Sequence, residues 1–158
     1  VKLGMPVNLL CAGFDSVSVC LSKGLGAPAG TVLVGHKALL DKARRIRKML
    51  GGGMRQAGML AAAGLHAFEH HIERLAEDHD HAAKLAEGLA SAGFEVEPVQ
   101  TNMVFARVPA DRCAALKEHL AAAGVAAIVT PRTRLVTHLD VDAAGIAKAV
   151  EAFASFRP

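Results

Sequence analysis

The stretch Asp15–Gly35, "DSVSVCLSKGLGAPAGTVLVG", decides how this chain is organised. Small polar and apolar residues alternate from Ser16 to Lys23, a pattern typical of a β-strand with one covered face. The glycine- and proline-rich segment 24–30 predicts a loop, and the β-branched residues of Thr31–Gly35 predict a second strand. The alternation places Lys23 on the apolar face, at the end of the first strand.

A lysine in that position has two interpretations. Partial removal of its amine from water would make it a better nucleophile, able to form a Schiff base. The glycines that follow would let a flat ligand approach the backbone. Alternatively, Lys23 is an ordinary strand-end lysine whose amine reaches solvent. The residues of this stretch alone leave both interpretations open.

The next segments predict helices. "HKALLDKARRIRKML", residues 36–50, carries apolar residues at helical spacing and is followed by three glycines, which favour a helix end. Its basic run, Lys42–Lys48, is either a solvated helix face or an anion site. From Met54 to about Ala92 the pattern predicts a long helical tract with a bend near Glu77.

Strand and helix patterns are mixed in the last third of the chain. The sequence predicts an N-cap at Asp140 for the last helix. Apolar strands mixed with amphipathic helices predict a two-layer α/β unit. The predicted strands are 94–99, 103–108, 125–130 and 134–138, and the predicted helices are 111–123 and 141–156.

The composition limits the possible classes of function. Hydrophobic residues make up 52% of the 158 residues, which is ample for a folded core. Trp and Tyr are absent and the net charge is only +3, so we expect no nucleic-acid partner. No stretch approaches the length of a membrane span, and we expect no membrane partner. Three cysteines without C-x-x-C spacing predict reduced thiols in the cytoplasm.

Two further motifs carry little functional weight. "GLGAPAG", residues 24–30, has neither the order of a P-loop nor that of a dinucleotide-binding turn. His66 and His70 are four residues apart, as metal ligands on a helix can be, but the order H-E-x-x-H is absent. We expect these histidines to lie on a solvated face and predict no metal site.

Five blocks, in order along the chain, resemble the low-specificity threonine aldolases, a family of pyridoxal 5'-phosphate (PLP) enzymes among the β-eliminating lyases. The resemblance implies part of the aspartate-aminotransferase-like fold, fold type I, an α/β architecture. It implies the end of the large PLP-binding domain in residues 1–50, a connecting long helix in 51–92 and a small α/β domain in 93–158. The blocks are "DSVSVCLSKGLGAPAGTVLVG", "ARRIRKMLGGGMRQAGMLAAAG", "LAEDHDHAAKLAEGL", "TNMVFARV" and "RLVTHLD".

The resemblance also implies the roles of particular residues. It makes Lys23 the lysine that binds PLP covalently, and it makes Lys48 and Arg55 ligands of the cofactor phosphate in a neighbouring subunit. Arg134 becomes the partner of the substrate carboxylate, with Arg132 as its near competitor. Ser22 is a further candidate for the phosphate, although a strand-end serine more often bonds local backbone.

The implied reaction is the cleavage of L-threonine or L-allo-threonine to glycine and an aldehyde, in a homo-oligomer, dimer or tetramer, whose sites are shared between subunits. The family places its ring-stacking histidine and the partner of the pyridine nitrogen ahead of the CLSKG motif, where only a short segment precedes "SVSVCLSK" here. We therefore expect this chain alone to bind PLP weakly and to be inactive. The alternatives are a non-catalytic remnant or interaction module, or another β-eliminating lyase.

Overall fold

The computed structural model describes residues 1–157, which form two compact units. Apart from the first two residues, one unit contains residues 3–75 and the other begins at residue 76. The three ranges expected from the resemblance refer to a whole enzyme and stay a prediction.

The first unit combines one strand pair with helices. It begins with the short helix α1, Val7–Cys11. Strands β1, Ser16–Cys20, and β2, Thr31–Gly35, pair antiparallel, from Ser16 opposite Gly35 to Cys20 opposite Thr31. A Cβ at Gly35 would lie 2.8 Å from the backbone oxygen of Asp15, so only glycine fits there. The helices α2, Lys37–Met49, and α3, Gly58–His70, follow.

The end of α2 is set by its glycines. The Gly51 N–H donates to the Lys48 carbonyl at 3.1 Å, and the Gly52 N–H donates to the Arg47 carbonyl at 2.8 Å. Gly51 has a φ of 84°, which side chains disfavour, and these two bonds form a Schellman motif. The predicted helix end is confirmed.

The second unit packs three helices on one antiparallel sheet. Its helices are α4, Leu75–Ser91, α5, Cys113–Ala122, and α6, Ala143–Ser155. The strands are β3, Glu95–Val96, β4, Met103–Arg107, and β5, Arg132–Val136, in the order β3-β4-β5. A 3-10 turn, Ala110–Arg112, precedes α5. The core is formed by eleven buried residues, among them Leu89, Val104, Leu116, Leu120 and Phe153.

Three details differ from the sequence predictions. The predicted N-cap is wrong, because Asp142, not Asp140, accepts the Gly145 N–H at 2.7 Å. The long helical tract is interrupted between His70 and Leu75, slightly before the predicted bend. The first helix of this tract, α3, begins at Gly58 rather than at the predicted Met54.

Segment 125–130 is not a strand, so this prediction is wrong, although the burial of its residues alternates along the chain. Val125, Ala127 and Val129 pack against the core, whereas Ile128 is 82% exposed. At its end, the Thr130 N–H donates to the Thr133 hydroxyl, so a side chain takes the place of a ladder partner. The segment thus has the buried face of a strand but is part of neither sheet.

Candidate active site

Lys23 lies in a turn beyond β1, with an exposed side chain. The strand ends at Cys20, so the prediction that Lys23 continues an apolar strand face is wrong. The buried residues of this segment are Leu21 and Ala27, each 7% exposed, which lie on either side of Lys23 in the chain. The Gly26 N–H donates to the Lys23 carbonyl at 2.8 Å, and Gly26 has a φ of 68°. The fold thus anchors the turn through its apolar neighbours and presents the amine to solvent.

Helix α3 and the residues after it hold this turn in place. The Nδ1 atom of His71 lies 2.6 Å from the carbonyl oxygen of Leu25. A Cβ at Gly24 would lie 3.0 Å from Leu75, and a Cβ at Gly64 would lie 3.1 Å from Leu21. The small residues on both sides therefore permit a close approach of backbone and side chain around Lys23.

Ser22 is exposed, and its hydroxyl makes no hydrogen bond within residues 1–157. It is free to bind a ligand, and the local backbone bond expected of a strand-end serine is not formed.

Lys48 and Arg55 are two of the cations around the end of α2 that have no acidic partner among residues 1–157. Lys48 lies in the last helical turn, and Arg55 lies in the segment between α2 and α3. Both side chains are exposed, and neither forms an ion pair in the described part of the chain. A Cβ at Gly53 would lie 3.7 Å from the Lys48 amine, so the glycine run leaves space beside that amine. This arrangement is suited to an anion.

Another member of the basic run has a structural partner. Asp41 accepts from Lys37 and, at 3.3 Å, from Arg44. Arg44 is therefore part of a charge network on the helix surface, in keeping with the solvated-face interpretation for this residue.

Strand β5 carries two arginines with different surroundings. Arg132 donates two hydrogen bonds to Glu97, one from Nε at 2.8 Å and one from Nη2 at 2.6 Å. Its guanidinium also lies 3.9 Å from the centre of the Phe105 ring. Arg134 is exposed and has no ion pair or side-chain hydrogen bond among the described residues. Of the two competitors named from the sequence, Arg134 is the one whose guanidinium is not already paired with a carboxylate of the described residues.

The Glu97 carboxylate is the electrostatic centre of this sheet end. The hydrogen bond from Arg132 lowers the pKa of Glu97, and the charges of Arg132 and Arg107 lower this pKa further. The hydrogen bonding in which the Glu97 carboxylate accepts from Arg132 in turn raises the pKa of Arg132. Arg107 approaches the same carboxylate at 3.1 Å.

Sequence reasoning did not predict the role of Asn102 and Thr137. The Asn102 side chain donates to the Thr137 carbonyl at 3.0 Å, and the Thr137 N–H donates to the Asn102 carbonyl at 3.0 Å. The buried Thr137 hydroxyl donates to the Asp78 carbonyl at 2.6 Å. These bonds join three of the five resembling blocks. In the sequence, the one sign of these hydrogen bonds was that the predicted strand 134–138 ends in two polar residues, Thr137 and His138.

The histidines do not form a metal centre. The rings of His66 and His70 lie 4.4 Å apart between centroids and are tilted by 48°. Within residues 1–157, no group of three or more His, Cys, Asp or Glu side chains is placed to hold a metal ion. Over the same residues, no helix has the length and apolar character needed to cross a bilayer.

The arrangement as a whole presents cations without acidic partners. They include Lys23 and, around the glycine turn, Lys48 and Arg55 in the first unit, and Arg134 in the second unit, alongside other exposed Lys and Arg residues of the described chain. An unpaired amine and unpaired guanidinium groups can bind an aldehyde, a phosphate and a carboxylate. The sequence-family model of the beta-eliminating lyases matches residues 1–111. The chain belongs to the β-eliminating lyase family.

Relatives narrow this comparison to threonine aldolases. The low specificity L-threonine aldolase of Escherichia coli K12 is 49% identical over 156 residues, which are 99% of this chain and 47% of the relative. The probable low-specificity L-threonine aldolase 2 of Arabidopsis thaliana is 42% identical over 153 residues, 89% of this chain and 42% of the relative. The chain thus spans about half the length of the curated relatives it matches.

Solved structures show the fold. The structure of a putative L-allo-threonine aldolase from Listeria monocytogenes matches with a TM-score of 0.78 and 22% identity, over 97% of this chain and 47% of that one. A structure of SPT with a PLP internal aldimine matches with a TM-score of 0.73 and 17% identity, over 90% of this chain and 39% of that one. The chain therefore has part of the fold-type-I architecture of PLP enzymes, as predicted.

Proposed function

We propose that this chain is part of a PLP-dependent aldolase that cleaves L-threonine or L-allo-threonine to glycine and an aldehyde. The observation that carries the proposal is the 49% identity to an L-threonine aldolase over 99% of the chain. The exposed Lys and Arg residues without ion pairs support it, because the reaction requires an amine for an aldehyde and cations for a phosphate and a carboxylate. The proposal concerns a whole enzyme, of which the chain would contribute one part.

The residues of the first unit fit a phosphorylated aldehyde. Lys23 offers an exposed amine next to Gly24 and is the residue we assign to the covalent bond with PLP. Lys48 and Arg55 would bind the phosphate, and the exposed hydroxyl of Ser22 would donate to it. In our proposal Lys48 and Arg55 serve the site of a neighbouring subunit. The enzyme would then be a homo-oligomer, either a dimer or a tetramer.

Arg134 would bind the substrate carboxylate. Its guanidinium can donate two parallel hydrogen bonds and so fix both the position and the rotation of the amino acid. This orientation of the amino acid would decide which bond at Cα is the one to break. When bound, PLP supplies the electron sink for breaking the bond between Cα and Cβ. A base from elsewhere in the enzyme would take the proton of the β-hydroxyl group.

The proposal includes the organisation of the chain. Residues 1–50 would form the last part of the large PLP-binding domain, and residues 93–158 would form the small domain. Residues 51–92 would connect the two domains. The three cysteines, Cys11, Cys20 and Cys113, are free thiols. A cytoplasmic enzyme is in keeping with thiols that are kept reduced.

The test measures aldehyde release by the whole enzyme with L-threonine and L-allo-threonine. We expect Lys23→Ala to abolish turnover and Arg134→Gln to raise KM by about 10- to 100-fold, the loss of one charge-assisted hydrogen-bonded pair. Arg132→Gln is the matched control and should change KM less than threefold. Turnover of other β-substituted amino acids but of neither threonine would contradict the substrate. Full activity of Lys23→Ala would contradict the reaction.

A further inference from the structure

One face of the three-stranded sheet points away from the core helices. Side chains alternate along β4 and β5, so every second residue lies on this outer face. The two strands pair so that Phe105 lies opposite Arg134, and Arg107 lies opposite Arg132. The outer face is formed by Met103, Phe105, Arg107, Arg132, Arg134 and Val136, none of which is buried.

This face contains two arginines that could compete for the same anion. Arg132 and Arg134 are two residues apart on one strand, so their Cα atoms are separated by about 6.6 Å. Both guanidinium groups have the same charge and the same fork of donors. A carboxylate arriving at this face would therefore meet two equivalent partners if nothing distinguished them.

Glu97 distinguishes them. Its backbone N–H donates to the Phe105 carbonyl at 2.9 Å, which fixes the residue beside β4. Its two carboxylate oxygens accept from Nε and Nη2 of Arg132, at 2.8 and 2.6 Å, in the bidentate geometry that is strongest for this pair. The Phe105 ring also packs against this guanidinium, whose central carbon lies 3.9 Å from the centre of the ring.

Arg107 is held by the same carboxylate. It contributes a third contact to Glu97, at 3.1 Å. One acidic residue thus engages two of the three arginines on this face. The Glu97 side chain is only 27% exposed, whereas those of Arg107 and Arg132 are about half exposed, so the carboxylate is the covered centre of the cluster.

We propose that Glu97 is a positioning residue that withdraws Arg132 from the substrate and leaves Arg134 as the carboxylate-binding guanidinium of this face. The proposal rests on the role of Arg134 in the proposed function and adds the residue that makes the choice between the two arginines. Glu97 acts through Arg132 and does not touch the substrate. Its removal would leave Arg132 free to bind a carboxylate two residues away from the productive position.

The test follows the Nε–H signals of the arginines by NMR in the 158-residue chain, with acetate as the probe. Sodium chloride at equal ionic strength corrects for screening. In the wild type we expect acetate to shift the Arg134 signal and to leave Arg132 unmoved. In Glu97→Gln we expect acetate to shift the Arg132 signal as well. This shift should be at least three times any shift that the Arg132 signal shows in the wild type.

Glu95→Gln is the matched control. It removes the same charge from the same end of the sheet, but Glu95 forms no ion pair among residues 1–157. Arg132 should stay unresponsive in this variant. Backbone spectra of each variant show whether the sheet is retained, and Glu97→Asp provides a second variant, with the carboxylate kept on a shorter side chain, if Glu97→Gln unfolds.

The outcomes separate this proposal from the proposed function. Equal acetate shifts at Arg132 and Arg134 in the wild type would overturn the role of Glu97 and leave the carboxylate site standing. So would an Arg132 signal that stays unmoved in a folded Glu97→Gln. No shift at Arg134 in any variant would overturn the carboxylate site itself, and with it this proposal.

Discussion

At the scale of single residues, Thr137 connects two elements of the second unit through one buried hydroxyl. It is 1% exposed and donates to the Asp78 carbonyl at 2.6 Å. Thr137→Val keeps the shape and removes the donor, so we expect the free energy of unfolding of this unit to fall by about 1–2 kcal/mol. Thr31→Val, the same change at an exposed position of β2, should cost less than 0.5 kcal/mol.

The measurement suits the composition of the chain. Because Trp and Tyr are absent, unfolding in urea is best followed by circular dichroism and by hydrogen exchange of the amides of both units, so that each variant is measured in its own unit. Equal losses in Thr137→Val and Thr31→Val would show that the hydroxyl contributes nothing beyond the general effect of the substitution.

Glu97 makes the stability of the sheet depend on pH. Its pKa in the folded chain lies below the ordinary value of 4.5, because Arg132 donates to the carboxylate. A carboxyl group with a lowered folded pKa stabilises the fold above its unfolded pKa, and this contribution is lost as the pH falls through the folded pKa. We therefore expect the melting temperature of the wild type to fall more steeply below pH 4.5 than that of Glu97→Gln.

Thermal unfolding at pH 6, 4.5 and 3.5 checks this expectation. Glu95→Gln serves as the comparison, since it removes a nearby carboxyl without an ion pair and should retain the steep acid dependence of the wild type. Parallel curves for the wild type and Glu97→Gln across this range would contradict the coupling between Glu97 and Arg132.

At the scale of elements, the start of α6 shows how one hydrogen bond selects a helix boundary. Asp142 accepts the Gly145 N–H at 2.7 Å and so satisfies one of the free donors of the first turn. We expect Asp142→Ala to destabilise the second unit by about 1 kcal/mol. Asp140→Ala should have little effect, because among residues 1–157 the exposed Asp140 carboxylate pairs only with His138, at 3.5 Å. Urea unfolding of both variants makes the comparison, and a larger loss for Asp140→Ala would contradict the assignment of the cap.

Elements set by local patterns could be predicted from the sequence, and features set by distant partners could not. The glycines after α2 and the alternation in β1 and β4 are local, and the predicted elements are present. Segment 125–130 shows the limit, because a run of apolar residues favours a strand but does not reveal whether a neighbouring strand supplies hydrogen bonds. Lys23 shows a second limit. The alternation of side chains, extended to Lys23, predicts that this residue lies on an apolar strand face, whereas the strand ends at Cys20.

The candidate site divides in the same way. The residue types and their order were readable from the blocks, and the family resemblance of those blocks is what predicts roles for Lys23, Lys48, Arg55 and Arg134. The pairing of Arg132 with Glu97 was not readable, because 35 residues separate them and only the register of β3, β4 and β5 brings them together.

At the scale of the whole molecule, the two units bury apolar surface very differently. The first unit has a cluster of three buried residues, and the second has one of eleven. Of the twenty-two exposed large hydrophobic side chains among residues 1–157, eighteen lie within the first 75 residues. They include Phe14, at 69% exposed, and Val34 of β2, at 53%. A two-stranded sheet with so small a core is marginally stable in water.

This contrast predicts unequal protection within one chain. Hydrogen exchange in the intact chain should be at least tenfold slower at Val104 and Ala106 of β4 than at Val19 and Val32 of the β1–β2 pair, because local opening costs less where few apolar groups are buried. All four amides lie within paired strands, which makes the comparison a matched one. Equal protection of the two sheets would contradict the prediction, since it would show that the small cluster around Leu21 stabilises its unit as well as the larger core stabilises the other.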